Sequence, residues 1–477
     1  MLDRRIIAAS VALAVFGSAF GASTPSNAQT ATTLHGVGAV SLAYTDNMFG
    51  SPSNPAEGQQ GPIGVWMLDL SPGIRVIHES TNALHTLTYY HPFTFYLGHS
   101  DATQQSDVGV WAGVFRLSPR DEIILGLSAY RSDMRTVALR GAANQTGVAP
   151  QATGKNLMLQ ANFTQGYSHE FSGQWRLAQR SDFGTILPLL VPTPQPHRYQ
   201  VLVGGGPEYT TARNAFGLDV AGTYYITTSI DEEGFPPAPS TAQALVEGSF
   251  RWRHDLTYTW STELSVGAAG AVRTDPLRGG VWGPIASAAV RYANEGYESS
   301  LTVRRTLGPN LVTATTVFAD EVYLGAGMPI SREHQVLLRA GAGFSHNRAL
   351  VVENRAFLAV PPFATPNSSD DARLVTTYNS VGMDASVGWY PDDLPYFEFR
   401  FQRTDQFGSS PNQIVPAAAF HRTLAMLTTG FMWPSRDVPP VPAREPGRVD
   451  NADRDSRVPG GMPEGAPMVQ GSGTDGE

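Results

Sequence analysis

Side chains along most of this chain alternate between apolar and polar with a period of two residues. The segment 397–402, for example, sets three phenylalanines against Glu398, Arg400 and Gln402. Successive side chains of a β-strand point to opposite faces, so such a segment has one apolar face and one polar face. We predict eighteen strands, at 34–46, 64–78, 83–97, 105–118, 122–134, 155–169, 173–183, 198–211, 215–229, 241–253, 257–273, 281–293, 297–307, 311–325, 334–346, 372–390, 395–407 and 420–433.

The connections between these strands alternate as well, between short polar turns and mostly longer loops. Short turns fall at 79–82, 118–121, 170–172, 212–214 and 254–256, whereas 48–63, 135–154, 184–197, 230–240 and 347–371 are long. Short turns at one end and long loops at the other are typical of outer-membrane barrels, with the turns in the periplasm. The predicted fold is therefore all-β: a transmembrane, antiparallel, up-and-down β-barrel of eighteen strands, with sixteen as the alternative count.

Aromatic residues on the apolar faces are spaced as a membrane requires. Trp282 and Tyr292 are ten residues apart, and Tyr199 and Tyr209 repeat that spacing. On a tilted strand this corresponds to roughly 25 Å along the membrane normal, the height of the apolar band. A soluble sandwich or propeller is the alternative, but the turn pattern favours the membrane barrel. The predicted girdle comprises Tyr199, Tyr209, Trp252, Trp260, Trp282, Tyr292 and Trp433.

The two ends of the chain differ from the alternating part. Arg4 and Arg5 precede a short apolar run, and Ser26 and Ala28 occupy the −3 and −1 positions of a cleavage site before Gln29. We therefore predict a signal peptide at 1–28 and a barrel domain at 29–433. The segment 434–477 is rich in proline and glycine and has no aromatic residue, which predicts a disordered periplasmic tail. The tail is either inert or a tether for a partner.

Composition and motif searches exclude several function classes. The chain has no cysteine, and it lacks the HExxH, GxSxG and P-loop patterns. Its formal net charge of −9 argues against nucleic-acid binding. We therefore expect neither an enzyme nor a bound cofactor or metal.

The polar faces predict a hydrated interior. Both charge signs point inward, so the lumen is expected to be polar without being an anion or cation filter. The inward tyrosines either stack against sugar rings or simply fill space. Strand parity predicts these lumen-lining residues: Asp69, Arg75, Tyr90, Tyr130, Glu208, Asp219, Tyr225, Glu247, Arg251, Glu263, Arg304, Arg339, Asp384, Glu398 and Arg400.

Two of the predicted loops are unusually apolar. They are 184–197, which contains TILPLLVPTPQP, and 349–363, which contains ALVVENRAFLAVPPF. Apolar loops at a barrel mouth fold inward as a gate, pack as a lid or extend as a hairpin. The sequence leaves these alternatives open.

Two short segments carry a resemblance to a known family. Tyr44-Thr45-Asp46-Asn47 and the segment 70–75 (LSPGIR) resemble the opening of outer-membrane barrels found with exopolysaccharide systems. The strand count also resembles the eighteen-stranded barrel that completes polysaccharide export in myxobacteria. This resemblance implies a periplasmic polysaccharide-export protein as a partner. A barrel of this class also implies outer-membrane lipid and the barrel-assembly machinery of a Gram-negative bacterium as partners.

The polar lumen and the resemblance together predict a pore that translocates polysaccharide across the outer membrane. The first alternative is a general diffusion porin. The second is a structural or adhesion barrel with a plugged lumen.

Overall fold

The computed structural model describes residues 30–48, 53, 61–100, 103–133, 157–190, 197–228, 240–273, 280–294, 296–310, 315–330, 335–351, 374–391, 395–409 and 419–433. The described strands are β1 Ala31–Thr45, β2 Val65–Ser80, β3 Ala83–Tyr90, β4 Phe93–Tyr96, β5 Gln104–Gln105, β6 Asp107–Ser118, β7 Asp121–Asp133, β8 Leu157–Glu170, β9 Trp175–Leu190, β10 Arg198–Thr210, β11 Asn214–Thr227, β12 Thr241–Asp255, β13 Trp260–Arg273, β14 Gly280–Asn294, β15 Tyr297–Asn310, β16 Thr315–Pro329, β17 Val336–Val351, β18 Leu374–Trp389, β19 Tyr396–Ser409 and β20 Phe420–Trp433. These residues contain no helix that is long and apolar enough to cross a membrane.

All strand pairs are antiparallel, and the sheet closes on itself. The first and last strands pair from Gly36 opposite Trp433 to Thr45 opposite Leu424. Each neighbouring pair between them is joined by an antiparallel ladder, so no strand of the described sheet is an edge strand along its whole length. Between β14 and β15 the ladder covers only Ala286–Asn294 opposite Tyr297–Arg305. The predicted all-β, antiparallel, up-and-down barrel is confirmed.

The twenty segments form eighteen barrel strands, because two strands are interrupted. The predicted strand 83–97 breaks at His91 and Pro92 into β3 and β4, both of which pair with β2. Proline has no backbone N–H to donate to a ladder, which explains the break. The predicted strand 105–118 breaks at Ser106, whose N–H donates to the carbonyl of Pro92 at 2.9 Å. Prediction of these strands as uninterrupted was wrong, but the count of eighteen is confirmed.

Short connections lie at one end of the barrel, which we call the turn-side end. They join β2–β3, β6–β7, β8–β9, β10–β11, β12–β13, β14–β15, β16–β17 and β18–β19. Gly296 begins β15 from a turn with φ of +84°, a left-handed conformation that glycine adopts without strain. We call the opposite end the loop-side end.

Some predicted boundaries are wrong. The predicted strand 173–183 continues as β9 to Leu190, so residues 184–190 of the predicted loop 184–197 are strand. This extension pairs on both sides, with Thr185 opposite Ala161 and also opposite Tyr199. Apolar side chains there belong to a ladder, which is why the segment looked too apolar for an exposed loop. Residues 308–310, which separate the predicted strands 297–307 and 311–325, likewise belong to β15.

Several predicted regions lie outside the described residues. They are the signal peptide 1–28, the tail 434–477, most of the loop 48–63 and the candidate gate 349–363 beyond Val351.

Candidate functional site

Each strand of the barrel has an exposed apolar face and an opposite, more buried face. Along β1 the even-numbered side chains, including Leu34, Leu42 and Tyr44, are exposed, whereas the odd-numbered His35 and Ala43 are buried. Paired residues of neighbouring strands share a face, so the ladder carries this assignment around the barrel. The outward face is an extended apolar surface, which only a lipid environment accommodates over so many strands.

Aromatic rings border this apolar surface at both ends. At the turn-side end, Trp175 packs against Tyr209 with ring centroids 4.9 Å apart, and Trp260 packs against Tyr292 at 5.0 Å. At the loop-side end, Tyr44 lies 5.2 Å from Trp66. Aromatic rings at both borders of an apolar band are the girdles of a membrane barrel.

The predicted girdle residues all fall on outward strand positions. Tyr209, Trp252, Trp260 and Tyr292 lie near the turn-side end, whereas Tyr199 and Trp282 lie near the loop-side end. Trp433 pairs with Gly36 in the closing ladder. The Trp433 side chain is outside the described residues.

The strand register places all fifteen predicted lumen residues on the inward face. Tyr90 lies opposite Gly73, Glu263 opposite Arg253, and Arg400 opposite Ser386 and Met426. The inward positions are Asp69, Arg75, Tyr90, Tyr130, Glu208, Asp219, Tyr225, Glu247, Arg251, Glu263, Arg304, Arg339, Asp384, Glu398 and Arg400. The sheet brings some of these together and leaves others apart.

An ion-pair network covers the inner wall formed by β9 to β12. Glu208 accepts hydrogen bonds from Arg176 Nη2 and Arg251 Nη2, each at 3.0 Å. Arg180 Nη1 donates to Asp219 Oδ1 at 2.9 Å, and Arg180 Nη2 lies 3.5 Å from Glu247 Oε1. Only 5% of the Glu208 side chain is exposed. Opposite charges therefore neutralise each other along this wall.

The inward ion pairs on β15 to β17 are more exposed to solvent than the network on β9 to β12. Arg304 binds Glu321, and Arg339 Nε lies 3.8 Å from Glu298 Oε1. The Arg339 and Glu298 side chains are 51% and 60% exposed although both point inward. Solvent therefore reaches the inner wall here.

Several inward charged residues were missing from the sequence prediction, among them four that take part in the ion pairs above. Arg176, Arg180, Glu298 and Glu321 have the same strand parity as their inward neighbours, for example Ala178 on β9. Parity alone was enough to find them.

Inner side chains at the loop-side end are mostly buried. Thr45 and Asn347 are 0% exposed, and Tyr225 and Tyr378 are 1% exposed. An apolar cluster also lies at this end, formed by inward residues of β12 to β14 together with Leu307 and Phe318, which have outward parity on β15 and β16. Gly283 makes room for that ring, since a Cβ on it would lie 2.9 Å from Phe318 Cζ. Side chains at the loop-side end of the described barrel are therefore closely packed.

Two stacked tyrosines line the turn-side end. The rings of Tyr390 and Tyr396 are 5.7 Å apart, and Tyr390 Oη donates to Glu398 Oε2 at 3.1 Å. Tyr390 lies in the connection after β18, where burial and then the neighbouring Glu398 charge raise its pKa to about 12. Its phenol therefore remains a hydrogen-bond donor at neutral pH.

Acidic and histidine side chains do not converge on a metal-binding arrangement within the described strands. The inward carboxylates in the networks above are paired with arginine.

A closed sheet of eighteen strands with an apolar, aromatic-bordered outer face and a charged inner face defines a membrane-spanning β-barrel.

Solved structures similar to this chain include an outer-membrane protein and a siderophore receptor. OccK2 (OpdF) of Pseudomonas aeruginosa in complex with glucuronate has 10% identity and a TM-score of 0.41, covering 84% of this chain and 97% of its own. OpdK of Pseudomonas aeruginosa has 10% identity and a TM-score of 0.42, covering 84% and 99%. The siderophore receptor PirA of Acinetobacter baumannii has 8% identity and a TM-score of 0.41, covering 84% and 81%. No protein-family model and no curated protein sequence matches the chain.

Proposed function

We propose that this barrel is a diffusion pore for small polar solutes in the outer membrane of a Gram-negative bacterium. The observation that carries the proposal is the solvent exposure of the inward Arg339 and Glu298 side chains. Barrels of sixteen to eighteen strands are wide enough to leave an aqueous channel. Charges of both signs on the wall predict weak ion selectivity.

The test is single-channel recording of the full chain, refolded in detergent and inserted into planar bilayers. We expect steady, ohmic conductance with a small reversal potential in a salt gradient. Heat-modified electrophoretic mobility verifies that the protein is folded, and heat-denatured protein is the control. Absence of conductance from folded protein would contradict a diffusion pore and would support the plugged structural or adhesion barrel.

Polysaccharide export with a periplasmic partner is the second candidate. The stacked Tyr390 and Tyr396 favour it, because tyrosine rings at the mouth facing the periplasm provide a platform for sugar faces. Tyr225 does not contribute, since its side chain is 1% exposed. Deletion of the gene distinguishes the candidates. If the barrel exports polysaccharide, surface polysaccharide is lost; if it is a diffusion pore, surface polysaccharide is unchanged.

The remaining partners follow from the proposed location. Outer-membrane lipid surrounds the apolar face, and the barrel-assembly machinery inserts the chain. We propose no catalytic activity and no nucleic-acid partner.

A further inference from the structure

A polar cluster lies on the outward, lipid-facing side of β8 and β9. It consists of Gln165, Gln179 and Ser181, and we call it the Gln–Ser patch. The register pairs Gln165 with Ser181 and Tyr167 with Gln179. Trp175 and Phe183, which share the parity of Gln179 and Ser181, are exposed on the outer surface. All three polar side chains therefore point away from the lumen.

The patch lies near the middle of the apolar band. Trp175 belongs to the turn-side girdle, and Thr185 pairs with the loop-side girdle residue Tyr199. Gln179 and Ser181 are four and six positions beyond Trp175, which places them roughly 10–15 Å above it in a band of about 25 Å. Lipid chains at this depth offer no hydrogen bonds.

Hydrogen bonding inside the patch is incomplete. Gln165 Nε2 donates to Gln179 Oε1 at 3.0 Å, and Gln179 Nε2 donates to Ser181 Oγ at 2.6 Å. The chain of bonds therefore runs from Gln165 to Ser181. Within the described residues, Gln165 Oε1 remains available as an acceptor at one end and the Ser181 hydroxyl as a donor at the other.

A second copy of this chain has the matching groups. When a two-fold axis relates the two copies, β8 of each copy lies opposite β9 of the other. The Ser181 hydroxyl of each copy then faces Gln165 Oε1 of the other. Gly205, beside the patch on β10, has no side chain that would hold the copies apart. Polar groups and small residues are the features that join membrane-embedded surfaces.

We propose that the Gln–Ser patch is the contact between two copies of the barrel in the membrane. The proposal is independent of the pore's cargo, because it concerns only the outer surface.

The absence of native cysteine permits a direct test by disulfide cross-linking. Leu177→Cys places a thiol beside the patch, and Val303→Cys places one on the outward face of β15 as the matched control. In native membranes under mild oxidation, we expect L177C to form a species of twice the chain mass and V303C to form none. Equal cross-linking at both positions, no cross-linking, or a product of another mass would overturn the proposal.

A second measurement tests the hydrogen bonds themselves. Gln165→Leu and Ser181→Ala, combined, remove the two terminal groups, and we expect the dimer dissociation constant in vesicles to rise about tenfold. Energy transfer between labelled chains, measured as lipid is added, gives that constant. Val303→Ala on β15 is the control, and heat-modified mobility reports folding for each variant. If the double variant folds and dimerises as the unchanged chain does, the proposal is wrong.

Discussion

Glu208 binds two arginines in the most buried ion-pair network described on the inner wall, and Glu208→Gln isolates the contribution of its charge. Its two carboxylate oxygens each accept a hydrogen bond from a different arginine, Arg176 and Arg251, at 3.0 Å. All three side chains are between 5% and 13% exposed. The substitution keeps the shape of the side chain but leaves two guanidinium groups close together without a neutralising carboxylate.

The expected loss of stability follows from these distances. Each pair at 3.0 Å gains about 5 kcal/mol of Coulomb attraction at an effective dielectric constant near 20. Desolvation offsets much of this gain, and removal of one partner from a buried pair typically costs about 3–5 kcal/mol. Because the lumen is partly hydrated, we expect the free energy of unfolding to fall by about 3 kcal/mol, at the lower end of that range.

Glu298→Gln is the matched control. This glutamate also points inward and faces one arginine, Arg339, but at 3.8 Å and with both side chains more than half exposed. Exposed pairs contribute little, so we expect a loss below about 1 kcal/mol.

Urea-induced unfolding in lipid vesicles, followed by tryptophan fluorescence, measures both variants. Equal losses for E208Q and E298Q, or a loss below about 1 kcal/mol for E208Q, would refute the argument that burial of the network makes it stabilising.

Three further predictions concern single positions. Arg180→Gln removes the cationic partner of Asp219 and Glu247, so the inner wall becomes more negative. We expect the cation-to-anion permeability ratio, measured from reversal potentials, to rise roughly twofold. Gly205→Ala lowers the free energy of unfolding by about 1–3 kcal/mol in the same urea assay, because its φ is +154° and its Cβ would lie 2.2 Å from a neighbouring carbonyl oxygen. Val220→Arg on the lipid face costs about 2–4 kcal/mol in that assay, whereas Val220→Leu costs almost nothing.

The sequence predicts the class of fold because lipid outside and water inside impose an alternation that each strand must satisfy. The strand 395–407 shows this directly, with its phenylalanines outward and Glu398 and Arg400 inward. Local backbone chemistry sets the remaining detail. Pro92 interrupts one strand. β9 extends to Leu190 because it pairs with β8 up to that residue and with β10 up to Ile186.

The face of a charged residue is predictable from parity, but its partner is not. Arg251 and Glu208 are 43 positions apart and bind each other across β11. That contact depends on the register of β10, β11 and β12. Turn geometry determines the register, whereas the hydrophobic pattern does not specify it. The same limitation hides the Gln–Ser patch, whose residues lie on different strands.

The ladder between β1 and β20 also has a kinetic meaning. It joins residues from opposite ends of the barrel, such as Ser41 and Thr428, whose hydroxyl oxygens are 2.9 Å apart although 387 positions separate them in the chain. The other ladders join neighbours in sequence and have a small entropic cost of closure, whereas this one closes a loop of nearly the whole barrel. We therefore expect the β1–β20 ladder to form last during folding. We also expect it to be the first ladder to separate when the barrel opens.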